Sequence, residues 1–149
     1  MEKFQLQPGE RVLKKGSMIY YPPETKDMGI LRAAFAAKQC VGFLTSARLA
    51  GCTKLVEHPW GALIWLIKWL LGRKIIFQVS LATVTRVEKP EKGRQLVIKS
   101  ADGSECTIAL ETFFDSRGKW MKAIADAVAA ADPKAKINAT DAVVEIARS

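Results

Sequence analysis

One histidine, three cysteines and no run of about 20 apolar residues are the sequence's main shortages, and each removes a class of protein. Without such a run, no helix of this chain is expected to cross a bilayer. The single histidine, His58, stands immediately before Pro59. It has no second histidine, paired carboxylates or nucleophile elbow beside it, so the chain is not expected to be an enzyme. Cys40, Cys52 and Cys106 are odd in number and far apart, without metal-ligand spacing. Each lies in or beside an apolar run, which predicts buried free thiols in a reducing compartment and no structural metal. Gly9, Gly16, Gly29 and Gly51 make no phosphate-cradling loop, and no cofactor is expected. The first ten residues lack the apolar core of a signal peptide. A cytoplasmic chain is therefore expected, with peripheral contact at the inner face of a membrane left open. There is no internal repeat or low-complexity tract.

What the sequence does have is a 49% apolar fraction in 149 residues, enough for one self-sufficient domain. Residues 1–133 are expected to form it, with 134–149 as a linker and a short tail helix. Twenty-three basic against 15 acidic side chains give a charge of +8, which favours acidic partners. Nucleic acid is not expected among them, because no helix-turn-helix signal, ribonucleoprotein motif or basic–aromatic interleaving is visible.

The most unusual stretch runs from Pro59 to Gly72 and holds three of the four tryptophans, with Lys68 its one charged residue. Pro59 suits a first helical turn and Gly72 an exit, so a helix is expected, although a buried strand fits the same composition. It has no polar face to turn to water. Burial against the chain's own sheet is one reading of the block; otherwise Trp60, Leu63, Ile64, Trp65, Ile67, Trp69, Leu70 and Leu71 are the candidate contact residues, toward protein or lipid. Lys68, Arg73 and Lys74 are candidates for meeting anionic headgroups.

Around this block the pattern is that of strands. Arg11–Tyr21 reads as the first, with a bend or bulge at Gly16 and a stop at Pro22-Pro23. Residues 40–45 and 48–56 form a candidate hairpin. Lys74 to Thr83 alternates, with Ile75, Phe77, Val79 and Leu81 on one side. Residues 84–88 continue that strand or begin another. Residues 94–99 and 106–110 flank Asp102-Gly103, a strong turn signal. A helix capped at Asp115 or Ser116 is expected to run to Ala131, with Trp120, Met121, Ile124, Val128 and Ala131 on its apolar face. The expected core is Val12, Ile19, Val41, Phe43, Leu49, Phe77, Val79, Leu81, Val97, Ile108, Trp120, Ile124 and Val128.

Three landmarks resemble the GRAM/PH-like superfamily. Residues 4–12 (Phe-Gln-Leu-Gln-Pro-Gly-Glu-Arg-Val) are similar to its L-x-P-G-E-x-hydrophobic opening. Residues 42–49 (Gly-Phe-Leu-Thr-Ser-Ala-Arg-Leu) are similar to its G-x-L-x-L-T-x-x-R-L hairpin. Trp120 stands where the closing helix of PH-like domains usually carries tryptophan. Residues 79–87 also resemble a family strand, with Ser80 where proline is common. The resemblance implies two near-orthogonal antiparallel sheets of about seven strands, capped by the C-terminal helix. The apolar helical segment would be an insertion between strands three and four, at about 57–73. It further implies a non-catalytic binding or scaffolding module. Self-association or a protein partner through the Trp60–Leu71 segment is the first expectation, and anionic membrane lipid the alternative. Arg11, Lys14, Lys15, Lys26, Arg32 and Lys38 match the phosphoinositide-reading pattern of PH domains poorly, so specific headgroup recognition is not expected.

Overall fold

The computed structural model of the protein describes residues 3–23, 36–53, 74–91, 94–110 and 117–148. Among them are nine strands and one long helix: β1 (Val12–Tyr21), β2 (Lys38–Thr45), β3 (Arg48–Thr53), β4 (Ile75–Ser80), β5 (Val84–Glu88), β6 (Gln95–Ser100), β7 (Glu105–Leu110), α1 (Arg117–Ala131), β8 (Lys136–Ala139) and β9 (Val143–Ala147). All described strand pairs are antiparallel. They build one unclosed sheet of order β4-β3-β2-β1-β7-β6-β5-β9-β8. β1 joins its two halves, since Met18 pairs with Cys40 on one side and Leu110 on the other.

Local chemistry sets the corners. At Ser46-Ala47 the Thr45 hydroxyl oxygen accepts from the amides of Ala47 (3.1 Å) and Arg48 (3.0 Å), which reverses the chain between β2 and β3. Between β6 and β7, Asp102 Oδ1 accepts from the Ser104 amide at 2.9 Å, and Gly103 takes the positive φ expected there. The inner face of the sheet is closed by α1, which buries Trp120, Met121, Ile124 and Val128 at the three- and four-residue spacing read from the sequence, while Ala131, expected on the same face, is exposed at the helix end. Leu49, Phe77, Leu81, Ile108, Trp120, Ile124 and Val128 take the core positions expected of them, and the three cysteines are buried, as expected.

Several expectations are corrected. The tail is not a helix: β8 and β9 form a hairpin, and β9 pairs with β5 through Arg86–Glu145, Val87–Val144 and Glu88–Val143. Val144 and Ile146 are buried while Glu145 and Ala147 are exposed, a period of two. The β1 irregularity falls between Val12 and Lys14 and not at Gly16, so Val12 stands 41% exposed, outside the core. In β6 the buried residues are Leu96 and Ile98, leaving Val97 half-buried on the opposite face. In β4 a shift opposite Gly51/Cys52 breaks the alternation, so Ile75 and Phe77 pack into different clusters. Ile19, Val41 and Val79 are only partly buried, and Phe43 is buried in the smaller cluster outside the main core. The segment 54–73, the start of the expected helix at 115–116 and residues Lys26 and Arg32 lie outside the described residues.

Gly42 and Gly51 are cross-strand partners and make room for large side chains. A Cβ on Gly51 would stand 2.0 Å from Phe77 Cε1, and one on Gly42 would stand 2.1 Å from Met18 Cε. A flexible thioether can swing away, whereas a packed ring must carry its neighbours with it. Gly51→Ala is therefore expected to destabilise the fold by about 1–3 kcal/mol, and Gly42→Ala by less. Urea denaturation followed by tryptophan fluorescence checks the order, and equal midpoints for the two variants would contradict it.

Candidate functional site

The outer face of β1–β4 carries the features that set this chain apart. Residues 3–10 cross it as a strap. Phe4 stacks on Phe43 with ring centroids 5.0 Å apart, next to Val41, Ala50, Cys52 and Ile75. Lys3 forms a bridge with Lys74, and Lys15 Nζ lies 5.6 Å from the Phe43 ring.

The strap is fastened by a buried ion pair. The Glu10 side chain is 2% exposed and that of Arg48 14%. Arg48 Nε donates to Glu10 Oε2 at 3.1 Å and Nη2 donates to Oε1 at 3.2 Å, while the Thr45 hydroxyl donates to Oε2 at 2.8 Å. Arg48 also donates to the Gln5 carbonyl at 2.6 Å and lies over the Phe4 ring. Burial alone would raise the Glu10 carboxyl. Hydrogen bonds from Arg48, the Gln7 amide and Thr45, with the guanidinium charge, outweigh it and hold the group below the usual carboxylate range. The Pro-Gly-Glu opening and the Thr-x-x-Arg hairpin, two separate landmarks in the sequence, thus meet as one network. Their pairing is what inspection of either motif alone misses.

The strap also marks where the apolar segment is attached. β3 and β4 are zipped to their ends: the Thr53 amide donates to the Lys74 carbonyl at 2.9 Å, and the Lys74 amide donates to Thr53 Oγ1 at 3.2 Å. Thr53 and Lys74, the described residues on either side of 54–73, thus stand side by side at the end of the sheet. Every candidate contact residue from Trp60 to Leu71, together with Lys68 and Arg73, falls outside the described residues. Lys74 is described and exposed at the foot of the segment.

Charge divides the molecule along the sheet. Up to Ser80 the sequence carries 12 basic side chains, Lys3, Arg11, Lys14, Lys15, Lys38, Arg48 and Lys74 among them, against five carboxylates. From Leu81 onward it carries 11 basic and ten acidic side chains. On that second half the charges interlock: Arg86 meets Glu88 at 2.6 Å and Glu145 at 3.3 Å, and Lys99 meets Glu88 at 3.3 Å. Such a lattice favours water over an apolar partner.

Two other places were candidates for chemistry. A cleft of about 640 Å³ opens at the β4–β5 corner, lined by the hydroxyls of Ser80, Thr83, Ser100 and Ser104 with Gln78 and Asp102. Its charged groups are engaged, Asp102 by Ser104 and Arg48 by Glu10. Cys106 is buried, and that burial, with the Cys40 sulfur nearby, pushes its thiol up to about 12, which keeps it protonated and unreactive. Among the described residues no cluster of histidine, cysteine and carboxylates could hold a metal, and no helix is long and apolar enough to cross a membrane.

Antiparallel strands in this order, closed by one amphipathic helix, define a PH-like fold, and solved structures agree. The chain is similar to a Vav1 structure with an allosteric inhibitor (TM-score 0.55, 12% identity, 80% of this chain and 27% of that one). It is also similar to the DH/PH domains of PDZ-RhoGEF in complex with activated RhoA (TM-score 0.52, 15% identity, 82% and 30%). A third similar structure is the linker-DH/PH region of p115-RhoGEF (TM-score 0.51, 12% identity, 80% and 29%). The chain spans less than a third of each of those chains. No family model and no curated protein sequence matches it.

Proposed function

We propose that the chain is a non-catalytic, cytoplasmic GRAM-type binding module that self-associates, or docks a protein partner, through its Trp60–Leu71 segment. The sheet would bend into the two near-orthogonal layers of a PH-like barrel, with the segment as a helix inserted between β3 and β4. The observation that carries the reading is the closed base at Thr53 and Lys74. A segment with both feet at one point on the sheet can present its apolar residues as a unit. Full removal of one large apolar side chain from water is worth roughly 1.5–3 kcal/mol, so eight such residues make a strong drive to associate.

The competing reading sends the same segment into an anionic bilayer, with Lys68, Arg73 and Lys74 on the headgroups. It is favoured by the exposed Lys74 beside Lys3 at the segment's foot. Light scattering coupled to size-exclusion chromatography tests the first reading. The wild type should run as a dimer or larger, and Trp65→Glu with Trp69→Glu as a folded monomer. A monomeric wild type would refute self-association. Cosedimentation with anionic vesicles, abolished in that same double variant, is the result the lipid reading requires.

A further inference from the structure

Among the described residues the exposed large apolar side chains are Leu6 (48%), Val12 (41%) and Leu13 (45%), all within one short stretch of chain. The Gln7–Glu10 turn, closed by a 2.9 Å bond from the Glu10 amide to the Gln7 carbonyl, puts Leu6 and Val12 on the two arms of one corner. Strand alternation would hide one of Val12 and Leu13. The bulge between Val12 and Lys14 inserts Leu13 as an extra residue, and both remain outside. The corner is held in place, because the strap behind it is pinned by Glu10 to Thr45 and Arg48, and Ser46 Oγ accepts from the Arg11 amide at 3.1 Å. Arg11 and Lys15, both exposed, flank it.

We propose that this corner is a contact site for an anionic lipid surface, separate from the Trp60–Leu71 segment and independent of what that segment binds. Charge complementarity selects the occupant. The corner belongs to the half of the chain in which 12 basic side chains face five carboxylates, and Glu10, the carboxylate within residues 3–15, is buried against Arg48. Three half-exposed side chains fall far short of the roughly 800 Å² per partner that a stable protein interface uses. A bilayer accepts a small apolar wedge when neighbouring cations add their attraction to anionic headgroups.

The test is flotation of the full chain with phosphatidylcholine vesicles, with and without phosphatidylserine, at low and high salt. The wild type should bind only the vesicles containing phosphatidylserine and release them as salt rises. Val12→Glu with Leu13→Glu should weaken binding about thirtyfold. Arg11→Gln and Lys15→Gln should each weaken it roughly fivefold. Trp65→Glu with Trp69→Glu should leave a salt-sensitive component that the corner variants remove, which separates this site from the segment. Circular dichroism checks that each variant is folded, and Val12→Ser with Leu13→Ser replaces the Glu pair if that pair misfolds. Four results would overturn the proposal: indifference of the wild type to phosphatidylserine, wild-type binding by a folded corner variant, complete loss of binding in the Trp65/Trp69 variant, or a corner variant that changes oligomeric mass without changing vesicle binding.

Discussion

Deleting residues 133–149 is expected to leave a chain that no longer unfolds cooperatively. The deleted hairpin supplies Val144 and Ile146 to the main core, each worth about 1.5–3 kcal/mol when fully buried. It also carries Arg148, whose guanidinium donates to the Leu81 carbonyl, to the Val84 carbonyl at 3.2 Å, and to Asp132 Oδ2 at 3.0 Å. One side chain thus ties the last strand to the β4–β5 corner and to the end of α1. Without β9, the edge of β5 loses its ladder partner and Val87 its cover. Together these losses approach the roughly 5–15 kcal/mol that holds an ordinary domain together. Thermal unfolding of the truncated chain checks the expectation, and a transition at the wild-type temperature would show that the hairpin is only an appendage.

Arg48→Met should produce the second large loss, about 3–5 kcal/mol, because it strands the Glu10 carboxylate in a site that is 2% exposed. Glu10→Gln with Arg48→Met removes both charges and should recover much of it. A loss below about 1 kcal/mol for Arg48→Met would mean that the pair behaves like a surface ion pair. The same network makes stability depend on pH. The Glu10 carboxyl is held below its ordinary value in the folded chain. The unfolded chain therefore binds its proton first as pH falls. The network's stabilising contribution is complete above the ordinary glutamate value and is lost as pH falls through the lowered folded value. In Glu10→Gln that part of the acid sensitivity should be absent, as denaturation midpoints across the acid range would report.

How legible this molecule was in its sequence depends on the length and period of each signal. The α1 face is legible up to Val128 because Trp120, Ile124 and Val128 repeat over several turns, whereas Ala131 at the helix end is exposed. The Asp102-Gly103 corner was legible because its chemistry is local. The tail misled because Val143-Val144-Glu145-Ile146 is too short to show a helical period, and its β-branched residues, which favour strands, were the signal to weigh. Val12 and Ile75 were misassigned for another reason: single-residue shifts against a neighbouring strand reset which side chains face inward, and nothing in the strand's own sequence announces them. Of the candidate site, the sequence offered the apolar segment but not the basic, strapped sheet face from which it departs. That face is assembled from residues 3–15, 38–52 and 74–78 only when the strands pair.

The position of β1 also governs the order in which the fold can assemble. β2–β3 is a tight local hairpin, but the strand joining both halves needs β7, and Met18 must find Leu110. Closing so long a loop is slow compared with zipping a hairpin. Of β1's two ladders, the one to β2 is therefore expected to zip before the one to β7, so the two halves of the sheet join late.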